Sequence, residues 1–206
     1  VSAITIYMPN RGQIETETVE SLLLLQAAVA SSPMLDLKIG VHFHTGDSLI
    51  PRGRNECAAH FIRSAKDAML FIDSDIVFSS SDVVRLWATG LDLVGANYHV
   101  TRRSVRTDEE RMVVPIAEGA PELAPVSRLA TGFMLIRRVV FERMLAGTTK
   151  YLYPNGDPRW DFFGPFVRGD EYLSEDYAFV TRAIESGTTP YMHTGIKLGH
   201  IGRKEW

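Results

Sequence analysis

The sequence predicts a doubly wound α/β fold, and three observations carry that prediction. Four strand-like apolar segments alternate with three helix-like ones over the first 98 residues. The run Ala68-Met69-Leu70-Phe71-Ile72 is unbroken by any polar residue, as suits a central strand covered on both faces. Stop signals such as Pro9 and Gly90 fall between the segments and not inside them.

The elements follow in order. Residues 3–8 are a short apolar run closed by Pro9, which reads as a buried strand. Residues 16–30 place Val19, Leu22 and Leu23 at helical spacing, with Thr16 as the expected N-cap. Residues 38–42 are a second strand. Residues 52–65 are a second helix, with Ala58, Phe61, Ile62 and Ala65 on one side. After the strand at 68–72, Ser79 or Ser80 caps a short helix that ends at Gly90, and residues 91–96 return as a fourth strand. Residues 101–122 are polar and charged and read as a long loop. A strand at 129–136, with Gly132 inside it, leads to a helix from 138 to about 146. Residues 147–169 are irregular and rich in aromatics. A helix over 174–186 has Gly187 past its end, and short strands near Tyr191 and Lys197 close the chain.

Bulk properties narrow the function. The net charge of −3 argues against broad binding to nucleic acid or anionic lipid, although Arg52, Arg54, Arg102, Arg103 and Arg106 are unevenly spread. A single cysteine, Cys57, excludes an internal disulfide framework and reads as a buried thiol. No apolar run reaches bilayer length and no leader pattern is visible, so we expect a cytoplasmic chain without a membrane span. The opening at Val1 instead of Met suggests a piece of something longer.

The most informative segment is Asp73-Ser74-Asp75. Aspartates at i and i+2 of an extended segment point to one side. At the C-terminal end of a parallel strand that side faces the crevice where α/β proteins bind ligands. Two carboxylates there can hold a hard divalent cation, which can in turn hold a diphosphate. The plainer reading is a strand end that prepares the next helix. Against it, five apolar residues precede the pair and Ile76-Val77-Phe78 follow, and embedding acids in apolar sequence is costly without a partner.

Phe71-Ile72-Asp73-Ser74-Asp75-Ile76 resembles the DxD motif of GT-A glycosyltransferases, which use nucleotide-sugar donors. Four further segments resemble that family in the same order. They are Arg52-Gly53-Arg54-Asn55, Thr131-Gly132-Phe133-Met134-Leu135-Ile136-Arg137, Ser174-Glu175-Asp176-Tyr177 and Leu198-Gly199-His200-Ile201-Gly202. Together they span most of the chain, which is similar in feel to small stand-alone domains of the chlorella-virus type. The resemblance implies a Rossmann-like, mainly parallel sheet flanked by helices, with a smaller acceptor-side region in the C-terminal half. Residues 1–98 would then be a nucleotide-binding half and residues 99–206 an acceptor and metal-completing half.

The same resemblance implies roles. Asp75 is the main ligand of Mn2+ or Mg2+, and His200 a further ligand that would favour Mn2+. Asp73 serves the nucleotide and a share of the metal. Pro9, Arg11, Ser74, Asn55 and Gly132 belong to the donor site, with a UDP-linked sugar expected. Arg52 and Arg54 either bind phosphate or lock Asp73; positive charge in a helix's first turn opposes its dipole, which favours a partner for at least one of them. Asp176, with Glu175, is the candidate base for an acceptor hydroxyl, although a Ser followed by two acids is also an ordinary helix start. Tyr153, Trp160, Phe162, Phe163 and Phe166, with Asp157 and Asp161, either stack on an acceptor sugar or simply pack. The activity implied is metal-dependent transfer of a sugar from a nucleotide sugar to a hydroxyl of a saccharide or glycoconjugate.

Two rivals remain open at this level. Asp73-Ser74-Asp75-Ile76-Val77 also fits a haloacid-dehalogenase-type phosphatase with Asp73 as nucleophile, and Thr131, Lys150 and Asp170 fall in a tolerable order for it. That family places its nucleophile on the first strand, whereas two β-α units come first here. A non-catalytic module that binds nucleotide sugars keeps the fold and needs no acid pair.

Overall fold

The computed structural model describes residues 2–32, 37–103, 108–153 and 155–201, without the side chains of Ser2 and residues 100–111. Arg106 and Gly202 lie outside the described residues, as do the side chains of Arg102 and Arg103.

The strands are β1 (Ser2–Asn10), β2 (Leu37–Thr45), β3 (Ala68–Ile72), β4 (Ile76–Val77), β5 (Leu93–Gly95), β6 (His99–Arg103), β7 (Asp108–Met112), β8 (Leu123–Pro125), β9 (Phe133–Arg137), β10 (Lys150–Leu152), β11 (Pro158–Trp160), β12 (Phe166–Arg168), β13 (Glu171–Leu173), β14 (Pro190–His193) and β15 (Gly199–His200). The helices are α1 (Thr16–Ala30), α2 (Ile50–Arg63), α3 (Ser80–Ala88), α4 (Arg138–Met144) and α5 (Glu175–Glu185).

A seven-stranded sheet runs in the order β2-β1-β3-β9-β5-β14-β8. β1 pairs in parallel with β2 and β3, and β5 with β14, while β9 and β8 run against their neighbours. Five of the seven strands therefore share one direction, so the sheet is mostly parallel. It draws β9, β14 and β8 from the second half of the chain, which ties both halves into one ladder.

The alternating pattern places the core as expected. β3 is fully buried, with Phe71 edge-on to Phe163 and Phe163 stacked on Phe179 at 4.5 Å between centroids. Phe162 and Phe163 are completely buried, so these two members of the aromatic stretch pack the core. Cys57 is buried as well, and burial pushes its thiol up to about 12.

Several boundaries differ from expectation. Glu15, not Thr16, occupies the N-cap position of α1, and no side chain caps it. α2 starts at Ile50, because Pro51 suits the first turn and the Asp47 carboxylate accepts the Leu49 N–H at 2.9 Å. Ser79 and Asp82 form a full capping box on α3. Residues 130–132 are not strand: the chain turns there, and the ladder starts at Phe133. The stretch expected as a loop at 101–122 contains most of the hairpin β6–β7, and residues 147–169 contain the hairpin β10–β11. No strand forms at Lys197; the closing strand lies at Gly199–His200 and pairs with β4. Among the described residues no helix is long and apolar enough to cross a membrane.

Candidate active site

β3 ends at Ile72, and the chain turns at once. The Asp73 N–H donates to the Gly132 carbonyl at 3.1 Å, and the Ile76 N–H to the Asp73 carbonyl at 3.2 Å. Asp73-Ser74-Asp75 is thus a tight turn and not the extended strand end that the sequence suggested, because the second bond closes the chain back on itself. Both carboxylates still line one cleft of about 570 Å³ with Ser74, Arg54, Glu175 and His200. Pro9 and Asn10 at the end of β1, with Arg11 just past it, also line the cleft.

His200 reaches the cleft because β15 pairs with β4, immediately after the Asp turn. The Ile201 N–H donates to the Asp75 carbonyl at 2.9 Å, and His200 Nε2 lies 3.4 Å from Asp75 Oδ2. The bond to Asp75 raises the imidazole pKa, and burial works against it. Tyr98 lies against the His200 ring at 5.3 Å between centroids.

Arg54 rises into the cleft from the first turns of α2 and is 3% exposed. Its Nη2 donates to Asp73 Oδ1 at 2.9 Å, and its Nε lies 3.7 Å from Glu175 Oε1. Burial alone would lower the guanidinium pKa, but the Asp73 and Glu175 carboxylates more than offset it. Nε and Nη1 have no hydrogen-bond partner. Buried donors of that kind are rare, and here the charge they carry is met by Asp73 and Glu175.

The two acids that open α5 separate. Glu175 faces the cleft, and its desolvation raises its pKa while Arg54 opposes. The Asp176 carboxylate instead accepts from the Ser174 hydroxyl and from the Tyr177 N–H, the latter at 2.8 Å, and Asp176 does not line the cleft. It is occupied in ordering the helix start.

The remaining expected residues scatter. Arg52 turns away from the cleft and forks onto Asp47, with Nη2 at 2.8 Å from Oδ1. Asn55 ties α2 to the aromatic stretch, donating to Asp161 and accepting the Phe163 N–H, both at 2.9 Å. Gly132 lies beneath Tyr98, where a Cβ would come within 2.3 Å of the phenol oxygen. We therefore expect Gly132→Ala to cost about 1–3 kcal/mol by overpacking and to shift Tyr98 off His200, which chemical denaturation and the His200 ring resonances would register. A variant of unchanged stability would mean that the Tyr98 ring is not held there.

Sequence reasoning missed Asn10, Gln13, Glu15, Ile50 and Ile201, which also line the cleft. A signal existed for Asn10: the Asn-x-Gly spacing makes a side-chain turn, with Asn10 Oδ1 accepting the Gly12 N–H at 2.9 Å and Gly12 at φ +94°. Nothing local marked Tyr98 as a neighbour of His200.

Among the described residues no group of three or more His, Cys, Asp and Glu side chains is arranged to hold a metal ion. Asp75 and His200 stand 3.4 Å apart as one oxygen and one nitrogen donor, a pair that fits a divalent cation only where a ligand provides further positions.

No protein-family model matches the chain, and no curated protein is similar to it in sequence. Solved structures are similar in fold. A197 from STIV is 16% identical with a TM-score of 0.58, over 98% of this chain and 87% of that one. S. aureus TarS 1–349 in complex with UDP-GlcNAc is 13% identical with a TM-score of 0.57, over 98% of this chain and 59% of that one. A Drosophila β1,4-galactosyltransferase 7 mutant, in complex with manganese, UDP-Gal and xylobiose, is 15% identical with a TM-score of 0.52, over 98% and 72%. The chain thus has the GT-A fold that these structures share, while spanning less than two thirds of the TarS fragment.

Proposed function

We propose that the chain is a metal-dependent glycosyltransferase, moving a sugar from a UDP-linked donor to a hydroxyl of a saccharide or glycoconjugate. The observation that carries this reading is the meeting of Asp73, Asp75, His200 and the half-unpartnered Arg54 in one cleft at the end of β3. TarS binds UDP-GlcNAc, and the Drosophila protein binds UDP-Gal, manganese and xylobiose. These support UDP as the nucleotide, Mn2+ as the cation and a saccharide as acceptor. Residues 1–98 serve as the nucleotide half and residues 99–206 as the acceptor half. A lone buried thiol asks for no oxidising compartment, so we assign the protein to the cytoplasm.

In this reading Asp75 and His200 would hold the cation, which would supply positive charge beside a diphosphate leaving group. Asp73, fixed by Arg54, faces the ribose, and the Pro9 to Arg11 wall takes the base. Arg54, already shared between Asp73 and Glu175, would add positive charge beside the donor's phosphates. For transfer with inversion, Glu175 is the carboxylate placed to take the acceptor proton.

The phosphatase reading fares less well. Arg54 holds the Asp73 carboxylate, and none of Thr131, Lys150 and Asp170 lines the cleft. The test is a thermal-shift panel of nucleotides and nucleotide sugars with and without Mn2+. A ligand at a hundredfold excess over its Kd stabilises by about 2.7 kcal/mol, which for a chain of this size is roughly 5–10 °C. We expect UDP and a UDP-sugar to give that shift only with Mn2+, and Asp75→Ala to remove it. A nucleotide shift that survives in Asp75→Ala unchanged would reject the ligand assignment; binding without turnover of any donor would leave a sugar-nucleotide receptor instead of an enzyme.

A further inference from the structure

Between β5 and β6 stand two buried residues, Asn97 and Tyr98, that the proposed chemistry does not use. A buried asparagine must find partners for its amide, and Asn97 finds them in the backbone. Its Nδ2 donates to the Val114 carbonyl at 2.6 Å. Its Oδ1 accepts the Val114 N–H at 3.2 Å and the Tyr98 N–H at 3.1 Å. The Val113 N–H in turn donates to the Tyr98 carbonyl at 3.0 Å. The Tyr98 backbone is therefore held at both its N–H and its carbonyl. From that anchor the ring lies over Gly132 and against the His200 imidazole, tilted by 35° with 5.3 Å between centroids.

These two contacts reach both segments that line the cation side of the cleft. The Gly132 carbonyl accepts the Asp73 N–H and so anchors the start of the Asp turn. His200 arrives from elsewhere, on β15. Its backbone is fixed by the two-residue ladder with β4 and by the Ile201 N–H on the Asp75 carbonyl. A ladder fixes backbone only, and the imidazole keeps its freedom about χ1 and χ2. Asp75 restrains that freedom weakly. Its carboxylate is 37% exposed, and Oδ2 lies 3.4 Å from Nε2, longer than an ordinary hydrogen bond. The pinned Tyr98 ring is the firmer restraint, a rigid wall on which the imidazole rests. Groups that orient a metal-binding histidine contribute tenfold or more to metal affinity.

We propose that Tyr98 is a positioning residue for His200, holding the imidazole turned towards Asp75 so that the pair is set for a cation in advance. The inference rests on the metal-dependent reading for the word cation, but the packing can be measured without metal. In the metal-free protein the His200 ring protons, assigned by their loss in His200→Ala, should show Overhauser effects to the Tyr98 ring. Their ring-current shift should persist in Tyr98→Phe and vanish in Tyr98→Leu. The second readout is the Mn2+ concentration that half-completes the UDP thermal shift. We expect Tyr98→Leu to raise it about tenfold, Tyr98→Phe to leave it in place, and Tyr98→Leu to add nothing in a His200→Ala background. Absent Overhauser effects in the unmodified protein would overturn the proposal, and that result needs no variant at Tyr98 to fold. So would a Tyr98→Leu protein that melts earlier but keeps its Mn2+ midpoint, or a Tyr98→Leu loss that persists in full without His200. A midpoint that His200→Ala itself leaves unmoved would strike the cation assignment, and this proposal with it. One that His200→Ala raises and Tyr98→Leu does not would strike this proposal alone.

Discussion

Asp73→Ala is expected to destabilise the protein by about 3–5 kcal/mol, and Arg54→Met by only about 1–3 kcal/mol. The asymmetry follows from burial. The Arg54 side chain is 4% exposed, whereas that of Asp73 is 29% exposed. Removing Asp73 strands a cation in the interior, with the Glu175 carboxylate at 3.7 Å as its remaining partner. Removing the guanidinium leaves a carboxylate that can turn to water. Urea denaturation at neutral pH would measure both, and the double variant supplies a sharper check. Once Arg54 is methionine, the further change Asp73→Ala should cost little, because the stranded charge is gone. If Asp73→Ala proves no worse than Arg54→Met, the pair is not the interior lock that its geometry describes. Both variants should also weaken UDP, since Asp73 would face the ribose and Arg54 the phosphates.

That lock shows which parts of the site the sequence could reveal. Arg52 and Arg54 were legible as charges of which at least one needs a partner, because a cation in the first turn of a helix is locally unfavourable; in the fold Arg52 takes Asp47 and Arg54 takes Asp73. Its neighbour Asn55 was not: it serves Asp161 and Phe163, more than a hundred positions away, and no local pattern encodes such a contact. The strands carrying continuous apolar runs, β1 and β3, were read nearly to their ends, since hydrophobic periodicity is a local signal. The hairpins at 99–112 and 150–160 were hidden because charge and aromatics mask strand alternation there. The Asp turn was read as extended, because the bond from the Ile76 N–H to the Asp73 carbonyl leaves no trace in residue type. The pairing of His200 with Asp75 was expected only by resemblance; in the fold it arises from the two-residue ladder between β4 and β15.

Glu175→Gln is expected to lower turnover by about 10²–10⁴-fold, the usual contribution of a positioned base, while leaving nucleotide binding nearly intact. Asp176→Asn should cost far less in turnover and about 0.3–1 kcal/mol in stability, the usual worth of a negative charge in a helix's first turn. The sequence favoured Asp176 for the chemistry; we propose Glu175 first, because it lines the cleft while Asp176 accepts from Ser174 and the Tyr177 N–H. The pH profile gives an independent reading. Desolvation raises the Glu175 pKa above the ordinary glutamate range, with Arg54 holding it back. A base must be ionised to accept a proton, so turnover should fall as pH drops through that raised pKa. The fall would begin at a higher pH than an exposed glutamate allows, and the limb should vanish in Glu175→Gln. The same shift makes a stability prediction of opposite sense to the usual acid case. A carboxyl whose pKa is higher folded than unfolded binds its proton more tightly in the native state. Its contribution therefore favours folding at low pH and is lost as pH rises through the folded value. Glu175→Gln should thus stabilise the protein modestly at neutral pH while abolishing transfer, as expected where desolvation of a base is retained for chemistry. If Asp176→Asn proves the inactive variant and Glu175→Gln retains the acid limb, Asp176 must leave Ser174 and the Tyr177 N–H when the acceptor binds, and the base is Asp176 after all.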